Sequence, residues 1–219
     1  MGGIAGKNTD GGEIYECKIA VEDVPGWASL KKNYQELGHN SDEKDTVITA
    51  WEKGKTASCG YVGGIAGFNE GSIHDIDCEN SHNAKVDAVK GNVGGIIGYQ
   101  GASGEIYECR TGKNWAVKTF VAERDQAIGG IIGYSFSDKS VYNLFNYATV
   151  TKEGNKGDYD NSAGGIIGRL ESLVSSSRKI TNCENYGNVS GYARVGGIIG
   201  HWKYKGGILS NCINQGEIN

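Results

Sequence analysis

The block GGIIG, or its variant GGIAG, occurs six times in this chain, beginning at Gly2, Gly63, Gly94, Gly129, Gly164 and Gly196. The intervals between starts are 61, 31, 35, 35 and 32 residues. A fixed period of this length is the mark of a repeat architecture, in which each unit buries its apolar face only against its neighbours. The first interval spans about two periods, so a degenerate repeat or a large insertion lies between Ile19 and Tyr61.

A second element follows each block: EIYEC to Cys17, IHDIDC to Cys78, EIYEC to Cys109, SVYNL to Leu144, KITNC to Cys183 and ILSNC to Cys212. Asn80, Asn146, Asn185 and Asn214 come two residues later in four of the six repeats. In the second repeat Ile76, rather than Cys78, can take the Cys position, and the spacing leaves both alignments open. A third element (YATV, YGNV, QGEI) closes several repeats. Three short strand-like pieces per period, joined by Gly and Asn, predict one coil of a β-solenoid. The expected fold is an all-β parallel β-helix of about six coils, right-handed by the usual hand of parallel crossovers. Coils stacked about 4.8 Å apart place like residues on like. Apolar columns then fill the interior, Asn side chains hydrogen-bond along the stack, and glycine supplies positive φ or close backbone approach.

Composition supports order. Glycine is 36 of 219 residues, but proline is 1 and no Gly-X-Y period exists, which excludes collagen and argues against a disordered linker. Scarce proline suits strands whose N–H groups are all needed for pairing. The net charge of −4, with signs mixed and no basic run beyond Lys31-Lys32 or Arg178-Lys179, argues against nucleic-acid binding. No apolar stretch is long enough for a membrane span, so no membrane insertion is expected. A repeat block follows Met1 directly, so no signal peptide is read and the chain is expected to begin inside an array, either as a piece cut from a longer protein or as its processed part.

The pattern VGGIIG…I.NC.N.G.V resembles the GLUG-motif repeats of bacterial surface and secreted proteins, including non-catalytic regions of IgA-protease-type metallopeptidases. The closest stretch is residues 164–219, with GGIIG, ITNCENYGNVSG, GGIIG and LSNCINQGEI. The likeness covers 2–18 and 61–219, misses 19–60, and Leu144 departs from the Cys position. It implies an extracellular or cell-surface location.

Six cysteines in such a protein invite disulfides. The repeat argues instead for buried free thiols, because a position that accepts either Cys or Leu144 is a small apolar site. The rival is a pair between adjacent coils, whose Cα spacing a disulfide tolerates. No close Cys/His pair and no His-Glu-x-x-His is present, so no metal site, catalytic site or cofactor is expected. GDYDN at 157–161 lacks the ligand spacing of a calcium loop, and GKT at 54–56 lacks the first glycine of a phosphate loop.

Two surface features remain. Lys7, Phe68, Tyr99, Tyr134, Arg169 and His201 each follow a block, so Phe68, Tyr99, Tyr134 and His201 form a candidate aromatic ladder. It is either a stabilising stack or a sugar-binding platform. If the block is one strand, its two apolar residues face opposite ways. The first row (Ile4, Ile65, Ile96, Ile131, Ile166, Ile198) then lines the core. The second leaves Ile97, Ile132, Ile167 and Ile199 as an exposed candidate interaction surface. The rival is that the second row is the core.

The whole chain reads as a single β-solenoid domain, 1–219, interrupted at about 19–60. That segment holds Pro25, Trp27 and Trp51, and Trp27, Leu30, Tyr34 and Leu37 predict a short helix near 27–37, with Ala5 and Ala66 small enough to let it approach. The expected function is a non-enzymatic repeat module serving as stalk, spacer or adhesive surface. Its partner would be a protein or glycan at a cell surface, or another copy. The alternatives are a polysaccharide-active β-helix enzyme, which requires convergent carboxylates, and a filament-forming subunit.

Overall fold

The computed structural model describes residues 2–17, 46–50, 60–80, 83–88, 91–119, 126–153, 161–171, 176–203 and 206–219. Among these the chain is all β, a solenoid with every strand pairing parallel. The predicted helix at 27–37 lies outside the described residues.

One turn shows the plan: Asn92–Gly94, Ile97–Gln100, Glu105–Arg110 and Trp115–Thr119 follow one another, and each joins a different sheet. There are thus four strands per turn, not three. Four turns carry a strand in every sheet, beginning at Tyr61, Asn92, Ala127 and Ser162. A partial turn flanks them on each side, with strands in three of the four sheets and a single bridge in the remaining one, Gly2 to Gly63 and Ile218 to Val189. All six blocks contribute to the second sheet, where Ala5–Asn8 pairs directly with Ala66–Asn69. The long first interval therefore holds an insertion within one turn rather than a degenerate repeat. Part of it, Thr46–Ala50, is a strand paired with Ala84–Ala88 at the edge of the fourth sheet.

The block is a corner. Its first glycine ends a strand of the first sheet, its second glycine and first isoleucine make the bend, and its second isoleucine opens a strand of the second sheet. Face alternation does not carry across a bend, so both apolar rows point inward. Ile65, Ile96, Ile131 and Ile166 are fully buried, and so are Ala66, Ile97, Ile132 and Ile167. This corrects the expectation of an outward stripe. Ile97, Ile132 and Ile167 are core residues, and Ile199 in the last turn is half-buried against that core. Ala66 likewise faces the interior rather than a covering helix. Each fully buried isoleucine stabilises by about 1.5–3 kcal/mol.

The corner glycines serve close approach. None of the paired block glycines in the four complete turns has a positive φ. A Cβ on Gly130 would overlap the Gly165 carbonyl of the next turn and the Asn146 amide. Positive φ falls elsewhere, on Glu16, Asp75, Glu108, Asn143, Asn182 and Asn211 at 52–55°. These occupy one column of the third sheet. At each, the chain shows two outward residues in succession, as Tyr107 and Glu108 do between inward Ile106 and Cys109. The result is a bulge-like column of left-handed residues stacked in every turn, with the pairing kept one to one on either side of it.

Register settles the second repeat. Cys109 pairs with Ile76 on one side and Leu144 on the other. Ile76 therefore holds the Cys position, and Cys78 falls in the column of Thr111 and Asn146. In that column Thr111 Oγ1 donates to Asn146 Oδ1 at 2.7 Å. Asn146 Nδ2 donates to Asn185 Oδ1, and Asn185 Nδ2 to Asn214 Oδ1, each at 2.7 Å. The predicted Asn ladder exists with Asn146, Asn185 and Asn214, but without Asn80.

Candidate functional site: outer ladders and an acidic groove

Outward positions of the second and third sheets stack into ladders because parallel strands in register put identical columns about 4.8 Å apart. On the second sheet, Phe68 and Tyr99 have ring centroids 5.3 Å apart and planes within 5°. Tyr99 and Tyr134 follow at 5.0 Å and 7°. Cations close both ends: Lys7 Nζ lies 5.0 Å from the Phe68 centroid and the Arg169 guanidinium 5.6 Å from that of Tyr134. Arg169 stands between Tyr134 and His201, its register partner, so His201 does not join the rings. Its neighbour is Arg194, whose Nη1 lies 3.2 Å from Nδ1. Burial, then Arg194 and Arg169, lower the His201 pKa.

The stack is braced at its Arg169 end. Arg169 pairs with Glu171, both nearly buried, and Lys203 Nζ lies 2.9 Å from the same carboxylate. Burial works against ionisation of Glu171, but Lys203, Tyr134 and Arg169 together hold its pKa below the usual carboxylate value. Burial, then the contact with Glu171, push the Tyr134 phenol well up. The ring faces are the point that matters for binding. Phe68 covers one face of Tyr99 and Tyr134 the other, and the tilted Tyr61 ring lies 4.5 Å away, so Tyr99 has no open face to stack on a sugar. The ladder's geometry is that of a stabilising stack.

The third sheet carries a ladder that the sequence reading passed over. Tyr15 and His74 stack at 5.4 Å, His74 and Tyr107 at 4.8 Å, and Tyr107 and Tyr142 at 5.0 Å. The available signal was the Tyr or His directly after the inward Ile or Val of the first four such elements: Tyr15, His74, Tyr107 and Tyr142. His74 is held on both nitrogens, with Nε2 2.8 Å from Glu13 and Nδ1 2.8 Å from Asp75. Burial opposes its protonation, but the hydrogen bonds and charges of Asp75 and Glu13 outweigh that and raise its pKa.

Beside this ladder, the stacked bulge opens an outer groove of about 510 Å3 lined by Asp75, Asp77, Glu108, Arg110, Asn143 and Phe145. The bulge puts Asp75, Glu108 and Asn143 in one column. The next outward column supplies Asp77, Arg110 and Phe145, and the Arg110 guanidinium lies 5.1 Å from the Phe145 ring centroid and 3.3 Å from Glu79. Three carboxylates, an amide and a guanidinium can hydrogen-bond hydroxyl or amine groups. No group of His, Cys, Asp and Glu able to hold a metal ion occurs among the described residues.

Cys17, Cys78, Cys109, Cys183 and Cys212 are not in disulfides; Cys78, Cys109 and Cys183 are buried, and Cys17 and Cys212 half-buried. Burial pushes the Cys109 thiol up to about 12, so it is inert as a nucleophile. No protein-family model, curated protein or solved structure matches this chain.

Proposed function

We propose that this chain is a non-enzymatic repeat module of a bacterial cell-surface or secreted protein, acting as a rigid spacer. The observation that carries the reading is the unbroken register of the second sheet, six strands deep, with a ladder on its outer face and an isoleucine column within. Such a body holds whatever lies at its two ends at a set distance. The GLUG-like motif supports the location. Antibodies against the chain provide the test. They should label intact cells of the source organism, and labelling only after permeabilisation would refute the surface assignment.

The groove favours a second reading, an enzyme acting on polysaccharide, because it gathers Asp75, Asp77 and Glu108. A glycosidase acid must be kept protonated by an apolar setting, whereas these three side chains stand exposed. That contrast puts the spacer first. Incubation with acidic and neutral polysaccharides separates the two: release of new chain ends that is lost in Asp75→Asn and Glu108→Gln establishes the enzyme.

A further inference from the structure

We propose that Cys183 and Cys212 form an oxidisable dithiol, which closes to a disulfide clamping the last turn of the solenoid to the turn before it. The register isolates this pair. Along the Cys column the residues run Cys17, Ile76, Cys109, Leu144, Cys183, Cys212, so Ile76 and Leu144 separate the other members. Only Cys183 and Cys212 are neighbours. They are locked opposite each other from both sides, by Thr181 against Ser210 and by Glu184 against Ile213. Ile213 N donates to the Cys183 carbonyl at 3.0 Å. Neighbouring positions on paired strands lie about 4.8 Å apart at Cα, inside the range of roughly 4.4–6.8 Å that a disulfide spans.

The side chains are aligned as well. Cys183 Sγ lies 3.4 Å from the Thr181 carbonyl and Cys212 Sγ 3.3 Å from the Ser210 carbonyl, so the two thiols share one orientation. Cys183 is buried and Cys212 half-exposed, which makes Cys212 the sulfur that a solute reaches first. Their mutual hydrogen bond acts in the same sense, since it lowers the Cys212 pKa and raises that of Cys183.

The co-reactant is a small-molecule disulfide such as oxidised glutathione. The Cys212 thiolate attacks one sulfur and forms a mixed disulfide. The thiolate expelled takes up the proton that Cys212 lost. Cys183 then gives up its proton and attacks Cys212 Sγ, forming the Cys183–Cys212 bond and expelling the second thiol. The protein loses two hydrogens with their electrons, and the oxidant ends as two thiols.

The test is to treat the full chain with oxidised glutathione and map its peptides without reduction. The expected result is one linked peptide pair joining Cys183 to Cys212, a higher thermal midpoint for the oxidised protein, and loss of both changes in dithiothreitol. In Cys183→Val, Cys212 should instead retain the glutathione adduct. A wild-type protein that keeps a stable adduct on Cys212, leaves both thiols unmodified, or links either one to a different cysteine overturns the proposal.

Discussion

Glu108 pays a conformational cost that Asn143 largely escapes. Both sit in the bulge column with φ near 54°, Glu108 at 53° and Asn143 at 55°. Left-handed backbone costs an ordinary L-residue about 1–2 kcal/mol, and Asn tolerates it through local hydrogen bonding. Glu108→Asn is therefore expected to stabilise the fold by on the order of 1 kcal/mol, read as a higher urea midpoint at unchanged slope. Asn146 lies at the opposite extreme. It donates to Asn185 and to the Ala148 carbonyl and accepts from Thr111 and the Ala148 N–H. Asn146→Ala leaves those buried partners unmatched and is expected to cost about 1–3 kcal/mol, measured in the same assay. Titration adds a signed prediction. The raised pKa of His74 means its contribution to stability is complete below about pH 6.5 and disappears as pH rises through the folded value. The depressed pKa of Glu171 means its contribution is present above about pH 4.5 and disappears as pH falls through the folded value. His74→Tyr keeps the ring stack, so comparing it with the wild type across pH should remove only the alkaline-side loss.

Within a turn, the corner and the bulge decide which side chains face inward, and they also mark where the sequence was readable. The period, the parallel stacking and the Asn ladder follow from spacing alone. The side assignments do not, because strict alternation fails at both places. GGIIG reads as a strand, yet its two glycines fold it into a corner and send both isoleucines inside. The third-sheet element reads Ile106-x-x-Cys109, a spacing of three, because Glu108 in the bulge shifts the alternation by one. The same pair recurs as Ile14/Cys17, Ile73/Ile76, Val141/Leu144, Ile180/Cys183 and Leu209/Cys212, and it was the signal that could have aligned Ile76 without the structure. Counting from the preceding block misled, because the link between Ala66–Asn69 and Ser72–Asp77 is shorter than that between Ile97–Gln100 and Glu105–Arg110. The groove was not legible, since Asp75, Asp77 and Glu108 meet only through register and the bulge. At this scale Gly130→Ala is the sharpest probe: its Cβ would overlap both Gly165 and Asn146. Adjacent strands would have to part, so the loss should exceed that of Asn146→Ala in the same unfolding assay.

For the whole molecule, stability is a sum of neighbouring turns, and the continuous inner columns make it indivisible in the middle. The central claim is that both isoleucine rows of the block lie inside a four-sided parallel solenoid. Ile132 and Ile167 test it best, because they are adjacent, fully buried and in register in two complete turns. An outward second row would leave them free to change. The deciding measurement is far-UV circular dichroism and thermal melting of the double variant Ile132→Lys, Ile167→Lys. Two unpaired charges in the core column should abolish the β signal and the cooperative transition; a variant that melts like the wild type would contradict the account.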